Sequence, residues 1–181
     1  NASNTSDRQR LEKGLPESDN VRVAWLDRNV GFSAGHNRNI REIFETTAPD
    51  FVWLLNNDCI VKADCVAHLI ECASNSPRTA IWGATLIEPD DQTVQCAGGC
   101  TYNTWISSFR QIGQGLPLER LPELRNVALD YIAGASLFFP ASLVKTAFFP
   151  ASKKATDLID GNFQLLNDAF FLYFEELDLA Q

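Results

Sequence analysis

The sequence predicts a single α/β domain built around a mostly parallel central sheet with helices on both faces. Segments of strand and helix character alternate between residues 21 and 87, which is the pattern of such a sheet. The run Phe51–Leu55 is short and continuously apolar, as is typical of a strand buried on both faces. A chain of 181 residues, 45% of them hydrophobic, can bury one sizeable core. We therefore expect one domain over 1–181, with its ligand site at the carboxyl ends of the strands.

The elements follow one another along the chain. Residues 8–13 favour a short helix, and residues 21–26 alternate like a strand. A glycine-containing turn then leads into a helix that starts at Asn37 and ends before Pro49. The later predictions are a helix (62–74), a strand (80–87), an irregular region with loops or short antiparallel strands (90–126), strand character around Gly134 (127–139), and helices at 141–147 and 170–180.

The charge balance excludes one class of function. Fifteen basic and 23 acidic residues give a formal net charge of −8 and an isoelectric point near 4.7. This balance is unfavourable for binding a phosphate backbone, so we expect no nucleic-acid partner.

No stretch reaches the roughly 18–20 consecutive apolar residues of a membrane span. We expect membrane association only through flanks outside this chain.

The cysteine pattern indicates a reducing compartment. The five cysteines are an odd number, and their spacing matches no zinc signature. We therefore expect reduced thiols and a cytoplasmic location, at most peripheral at the inner face of the cell membrane. No signal peptide is recognisable at the amino terminus. The chain has no Met at its start or elsewhere, so we expect it to be a piece of a longer protein.

The sharpest local signal is Asn56-Asn57-Asp58, which follows directly after Phe51–Leu55. Polar residues at this position lie at the sheet edge where ligands bind. One carboxylate flanked by amides suffices for Mg²⁺, which takes its other ligands from phosphates and water. For these three residues alone, a simple turn is the favoured interpretation.

A second candidate is the strand-to-helix turn between Asn29 and Asn37. Gly31 and Gly35 let the backbone approach a ligand there, and the amino terminus of the helix could face an anion. The glycine spacing is not that of a dinucleotide-binding motif, and no Lys completes a phosphate loop. Capping of the helix by Asn37 is the simpler interpretation.

The third candidate is an acidic cluster at the end of an aromatic run. Glu175, Glu176 and Asp178 follow the residues Phe170 to Phe174. Apolar surroundings raise the pKa of a carboxyl group, which suits a general base near neutral pH. A solvated acidic helix start with a core of aromatic residues is an equally good interpretation.

In this order and spacing, the motifs resemble the family 2 glycosyltransferases, in particular the rhamnosyltransferase-like branch that builds bacterial surface polysaccharides. The matches are spread over nearly the whole chain. They are Asn1-Ala2-Ser3, the run Asn29-x-Gly31-Phe32-x-x-Gly35-x-Asn37, Leu54 to Asp58, Gly134-Ala135-Ser136, and Phe170 to Asp178.

The resemblance implies the GT-A fold of nucleotide-diphospho-sugar transferases. It also implies a divalent cation, Mg²⁺ or Mn²⁺, because Asp58 stands in the family's Asp-x-Asp-like motif. The site residues carried over are Ser3, Asn29, Gly35, Asn37, Asn56 and Asn57 for the donor, Gly134, Ala135, Ser136 and Asp178 for the acceptor, Asp58 for the metal, and Glu176 with Glu175 for catalysis.

The activity implied is that of an inverting glycosyltransferase. Such an enzyme moves a sugar, rhamnose or a similar one, from a nucleotide-diphosphate donor to a saccharide or lipid-linked acceptor. Glu176 would be the base; geometry alone does not choose it over Glu175, and the family pattern decides. The chain lacks the family's first strand and C-terminal part, so we expect an incomplete domain.

Three alternatives stay open. The amide at Asn56, where the family has a carboxylate, suggests a catalytically inactive GT-A-like module that binds a sugar nucleotide or a protein. A Rossmann-type cofactor binder is disfavoured by the spacing of Gly31 and Gly35. A glycosidase is disfavoured because its two carboxyl groups flank one bond, whereas adjacent glutamates diverge.

Overall fold

The computed structural model describes residues 5–16, 18, 20–76, 80–125, 127–148 and 165–167. Within these ranges the fold is mixed α/β, which confirms the coarse fold class. The elements are α1 (Thr5–Gly14), α2 (Gly31–Thr46), β1 (Phe51–Leu55), α3 (Cys65–Asn75), β2 (Thr85–Ile87), β3 (Val94–Ala97), β4 (Gly99–Asn103), β5 (Ser108–Gln111), a 3₁₀ helix (Leu118–Leu124), β6 (Tyr131–Ile132), β7 (Ser136–Pro140) and α4 (Ala141–Phe148). The helix predicted at 170–180 lies outside the described residues.

The strands form three small antiparallel sheets. Their orders are β1-β7, β2-β3 and β5-β4-β6. Every strand pair within the described residues is antiparallel, so the predicted mostly parallel sheet is not found there. The alternation along the sequence indicates helix or strand character, but it does not determine which strands pair with one another.

Strand β7 separates two segments that run in the same direction. One edge of β7 pairs with β1, with Trp53 opposite Phe138. Phe138 also exchanges backbone hydrogen bonds with Trp82, at 2.7 and 2.9 Å. Because both neighbours are antiparallel to β7, the β1 strand and the segment around Trp82 are parallel to each other. The succession of β1, α3 and Trp82 therefore has the direction of an α/β unit, with β7 placed between its strands.

The main core lies on one face of β1 and β7. Leu137 and Phe139 point to this face and are completely or almost completely buried, together with Ile40 of α2 and Val144 of α4. Phe138 points to the opposite face, as strand geometry requires, and its ring stacks on that of Phe51 at 5.2 Å. Helices α2 and α4 are thus fixed to the sheet by their apolar sides.

A second, smaller core joins β2, β3, β4 and β6. Its buried members are Cys96, Cys100, Tyr131 and Ala133. The pKa of the Cys96 thiol is raised far above its usual range, mainly by a hydrogen bond with Cys100 and secondly by burial. The thiol therefore stays protonated and behaves as a small apolar side chain. All five cysteines are free.

Three predicted elements differ clearly from the structure. Residues 21–26 form no strand, and Val21 and Val23 are exposed, so their alternation buries nothing. Helix α2 begins at Gly31 rather than Asn37. The predicted strand 80–87 is broken at Gly83, where a side chain would meet the Gly98 carbonyl and the Ile132 side chain. None of the described helices is long and apolar enough to cross a membrane.

Candidate functional site

The residues Asn56, Asn57 and Asp58 form a tight turn at the carboxyl end of β1. The Cys59 backbone N–H donates to the Asn56 carbonyl at 3.3 Å, which places Asn57 and Asp58 at the centre of the turn. Both central side chains are exposed. Asn and Asp are favoured in such turns. The interpretation of these residues as a turn is thus correct. The turn also leaves the Asp58 carboxylate exposed to solvent, where a ligand could reach it.

Gly134 and Ala135 form a second turn, which leads into β7. The Ser136 N–H donates to the Ala133 carbonyl at 3.1 Å across this turn. Because β7 is antiparallel to β1, its first residue lies beside the last residue of β1, and Leu55 pairs with Ser136. The backbone N–H of Asn56 then donates to the Ala135 carbonyl at 3.1 Å. Two of the predicted site motifs are therefore in direct contact.

The Ser136 side chain holds this junction together. Its hydroxyl accepts a hydrogen bond from the indole Nε1 of Trp53 at 3.0 Å. The residue is only 1% exposed. Contact between this hydroxyl and an acceptor would require the junction to open, so in the present arrangement Ser136 is a positioning residue. Trp53 borders the candidate site, and the sequence analysis did not single it out, although it lies on the strand next to the Asn56 motif.

The turn at Asn29 belongs to the start of α2. The Asn29 Oδ1 accepts a hydrogen bond from the Gly31 N–H at 3.0 Å, and Gly31 has a φ of 85°, which favours glycine. This turn lets the helix start six residues before the predicted position and places Gly35 inside it. In the first turn of α2, the Ser33 hydroxyl is completely buried and has no partner among the described residues.

Asn37 is buried and fastens α2 to a distant segment. Its Nδ2 donates to the Leu166 carbonyl at 2.6 Å. Its Oδ1 accepts from the backbone N–H groups of Leu165 and Leu166, each at 3.1 Å. Leu165 and Leu166 are themselves part of the main core. The amide is thus used as a clamp on backbone groups, and it does not cap the helix.

His36 lies next to this clamp and is mostly buried. Its ring makes an edge contact with the Phe32 ring, with centroids 4.3 Å apart. Burial lowers the pKa of the imidazole below its usual value of 6.5. At neutral pH the ring is therefore uncharged, and this part of α2 carries no positive charge from His36.

The donor atoms around Asp58 limit the kind of cation that could bind there. Within the described ranges, no group of three or more His, Cys, Asp or Glu side chains could hold a metal ion. Asp58 is the one carboxylate of its turn, flanked by two amides and the Cys59 thiol. Mg²⁺ commonly binds one or two carboxylates and completes its shell with phosphates and water. The residues fit a cation that arrives with a diphosphate and do not fit an all-protein cage.

The other predicted site residues stay predictions. Ser3, Glu175, Glu176 and Asp178 lie outside the described residues. Asn57 and Asp58 on one side and Gly134 and Ala135 on the other meet at one edge, while Asn37 is tied to the same sheet through the core that α2 shares with β1.

A comparison with protein-family models finds no match, and a comparison with curated proteins finds none either.

Proposed function

We propose that this chain is the catalytic domain, or a large part of it, of an inverting glycosyltransferase with a GT-A fold. It would transfer a sugar such as rhamnose from a nucleotide-diphosphate donor to a saccharide or lipid-linked acceptor. The observation that carries the proposal is the hydrogen bond between the Asn56 N–H and the Ala135 carbonyl. It joins two residues that are 79 positions apart and so brings the proposed donor and acceptor motifs to one edge of the sheet.

The two turns divide the work in this proposal. Asn56, Asn57 and Asp58 would bind the donor diphosphate, and Gly134 and Ala135 would border the acceptor. A turn with a glycine offers an open backbone surface, against which a sugar hydroxyl can bind. Ser136 and Trp53 would keep the second turn in register with the first, because they join β7 to β1.

The cation belongs to the donor side. Asp58 would hold Mg²⁺ or Mn²⁺ together with the diphosphate, and the bound ion would neutralise charge on the leaving group. Glu176 would take the proton from the acceptor hydroxyl as general base, with Glu175 beside it. Asn37 would act on the donor only indirectly, because its polar atoms bind the backbone at Leu165 and Leu166.

The five free cysteines support a reducing compartment for this enzyme. We propose a cytoplasmic location, at the inner face of the cell membrane if the acceptor is lipid-linked.

The amide at Asn56 supports a second candidate, an inactive module of the same fold that binds a sugar nucleotide or a protein. One carboxylate fewer weakens the hold on a cation. Incubation of the chain with a panel of nucleotide sugars and Mn²⁺ separates the two candidates. Release of the nucleoside diphosphate, by transfer or by hydrolysis, excludes the inactive module.

Calorimetric titration of Asp58→Ala tests the proposed donor site. The wild-type chain should bind its nucleotide sugar about tenfold or more tightly with Mn²⁺ than with a chelator, and Asp58→Ala should lose this difference. The control is Asp50→Ala, which removes an exposed carboxylate at the opposite end of β1. An unchanged Mn²⁺ effect in Asp58→Ala would exclude Asp58 as the metal ligand and remove the main support for the proposal.

A further inference from the structure

The β4-β5 hairpin ends in three exposed apolar side chains. We call residues 103–109, the end of β4, the loop and the start of β5, the hairpin tip. Trp105 is 94% exposed, Ile106 71% and Phe109 59%. Isolated apolar residues on a surface are common, but three within five positions form a patch that calls for an explanation.

The backbone of the hairpin tip is firmly held. The Asn103 Oδ1 accepts hydrogen bonds from the N–H groups of Trp105 at 3.0 Å and Ile106 at 3.4 Å. Behind the tip, the Tyr102 N–H donates to the Asp130 carboxylate at 2.6 Å, and Tyr102 pairs with Phe109 across the hairpin. The apolar side chains are therefore presented outward by an ordered turn.

The tip differs in charge from the rest of the chain. No acidic or basic residue occurs from Asn103 to Phe109, although the chain as a whole carries −8. The next residue, Arg110, is exposed and basic, while the carboxylate of Asp130 behind the tip is bound to the Tyr102 N–H. An uncharged apolar tip with a basic residue directly behind it matches the order of a bilayer surface, in which anionic and polar headgroups lie outside the acyl chains.

The area of the tip also argues for a bilayer. Two aromatic side chains bury about 150–250 Å² each, and the addition of one isoleucine still leaves the tip short of the roughly 800 Å² per partner of a stable protein interface. A bilayer sets no such minimum, and Trp and Phe are favoured at its interface.

We propose that the hairpin tip inserts into the interface of a lipid bilayer, with Trp105, Ile106 and Phe109 among the upper acyl chains and Arg110 at the headgroups. This differs from the expectation that only flanks outside the chain reach a membrane. Binding to lipid requires no sugar nucleotide, so the proposal succeeds or fails independently of glycosyl transfer.

Sedimentation with lipid vesicles tests the proposal on the 181-residue chain. Wild type should bind phosphatidylcholine vesicles and bind more tightly when they contain phosphatidylglycerol. The double variant Trp105→Ser, Ile106→Ser should bind about tenfold or more weakly to both, because it removes most of the inserted surface. The control Ile60→Ser removes a side chain that is 97% exposed but lies after β1, and it should bind like wild type. Arg110→Gln should lower only the gain from phosphatidylglycerol.

A second measurement uses the wild-type chain alone and so does not depend on how the variants fold. Brominated phosphatidylcholine should quench the tryptophan fluorescence, because bromine in the acyl chains reaches only inserted rings. Absence of vesicle binding, absence of quenching, or equal binding by a folded double variant would each overturn the proposal. A concentration-dependent dimer that only the double variant fails to form would assign the tip to a second copy of the chain instead, which also overturns it.

Discussion

The indole N–H of Trp53 and the hydroxyl of Ser136 are joined by a 3.0 Å hydrogen bond across β1 and β7, between residues 83 positions apart. Trp53 lies three residues before Asn56, and Ser136 directly follows Ala135. It links the folding of the sheet to the geometry of the proposed site.

We expect Ser136→Ala to destabilise the protein by about 1–3 kcal/mol, because the Trp53 N–H loses its partner in a partly buried position. Urea unfolding measures this change. The double-mutant cycle with Trp53→Phe should show a coupling of about 1 kcal/mol between the two side chains. A coupling of zero would mean that the bond contributes nothing. Ser108→Ala, an exposed serine at the start of β5, serves as the control.

Asn37→Ala should reduce the free energy of unfolding by about 3 kcal/mol or more, because three backbone groups at Leu165 and Leu166 lose their partner inside the core. The matched control is Asn39→Ala on the same helix, where the side chain is exposed. Chemical unfolding measures both variants. If Asn37→Ala is as stable as Asn39→Ala, the hydrogen bonds of Asn37 do not stabilise the fold, and direct binding of the donor becomes the better explanation of this residue.

The stability should depend on pH through His36. Because burial lowers the pKa of His36, the unfolded chain binds more protons than the folded chain between that lowered value and about 6.5. The stability contribution of the neutral ring is complete above pH 6.5 and decreases as the pH falls below it. Denaturant unfolding at several pH values above 5 should show this loss in wild type and a weaker dependence in His36→Gln. His68→Gln, at an exposed histidine of α3, should leave the slope due to His36 in place.

Glu176→Gln should keep donor binding and lose about 10²–10⁴-fold in transfer rate, because an amide cannot take the proton from the hydroxyl group of the acceptor substrate. Glu175→Gln is the comparison, since geometry does not choose between the two neighbours. Single-turnover assays with saturating donor separate binding from transfer. Full turnover by Glu176→Gln together with loss in Glu175→Gln would assign the base to Glu175.

The sequence predicted some elements well for local reasons. Strand β1 has the predicted bounds, because an apolar run of five lies between Asp50 and Asn56. For residues 90–126 either loops or short antiparallel strands were expected, and strands β3, β4 and β5 lie there. The predicted start of α2 was wrong by six residues, because glycine is typical of turns. Gly31 nevertheless begins the helix with a positive φ, and its N–H is bound to the Asn29 side chain.

Contacts between residues far apart in the chain could not be predicted from the sequence. Asn37 was predicted to be a site residue, but its partners are backbone groups 128 and 129 positions away. The local sequence around Asn37 gives no sign of these partners. The same holds for Trp53 and for the antiparallel place of β7. The exposure of Trp105 was also unpredictable, because an aromatic residue in an irregular segment is equally compatible with a core.

The position of β7 has a consequence for how the chain acquires its structure. Strand β1 and the segment at Trp82 are synthesised long before β7, so each emerges from the ribosome before the strand with which it pairs. The sheet closes only when a loop of more than 80 residues has been brought together, as the separation of Trp53 and Ser136 indicates. Contacts of such separation slow folding. We therefore expect the nascent chain to be vulnerable to aggregation until residue 140 has left the exit tunnel.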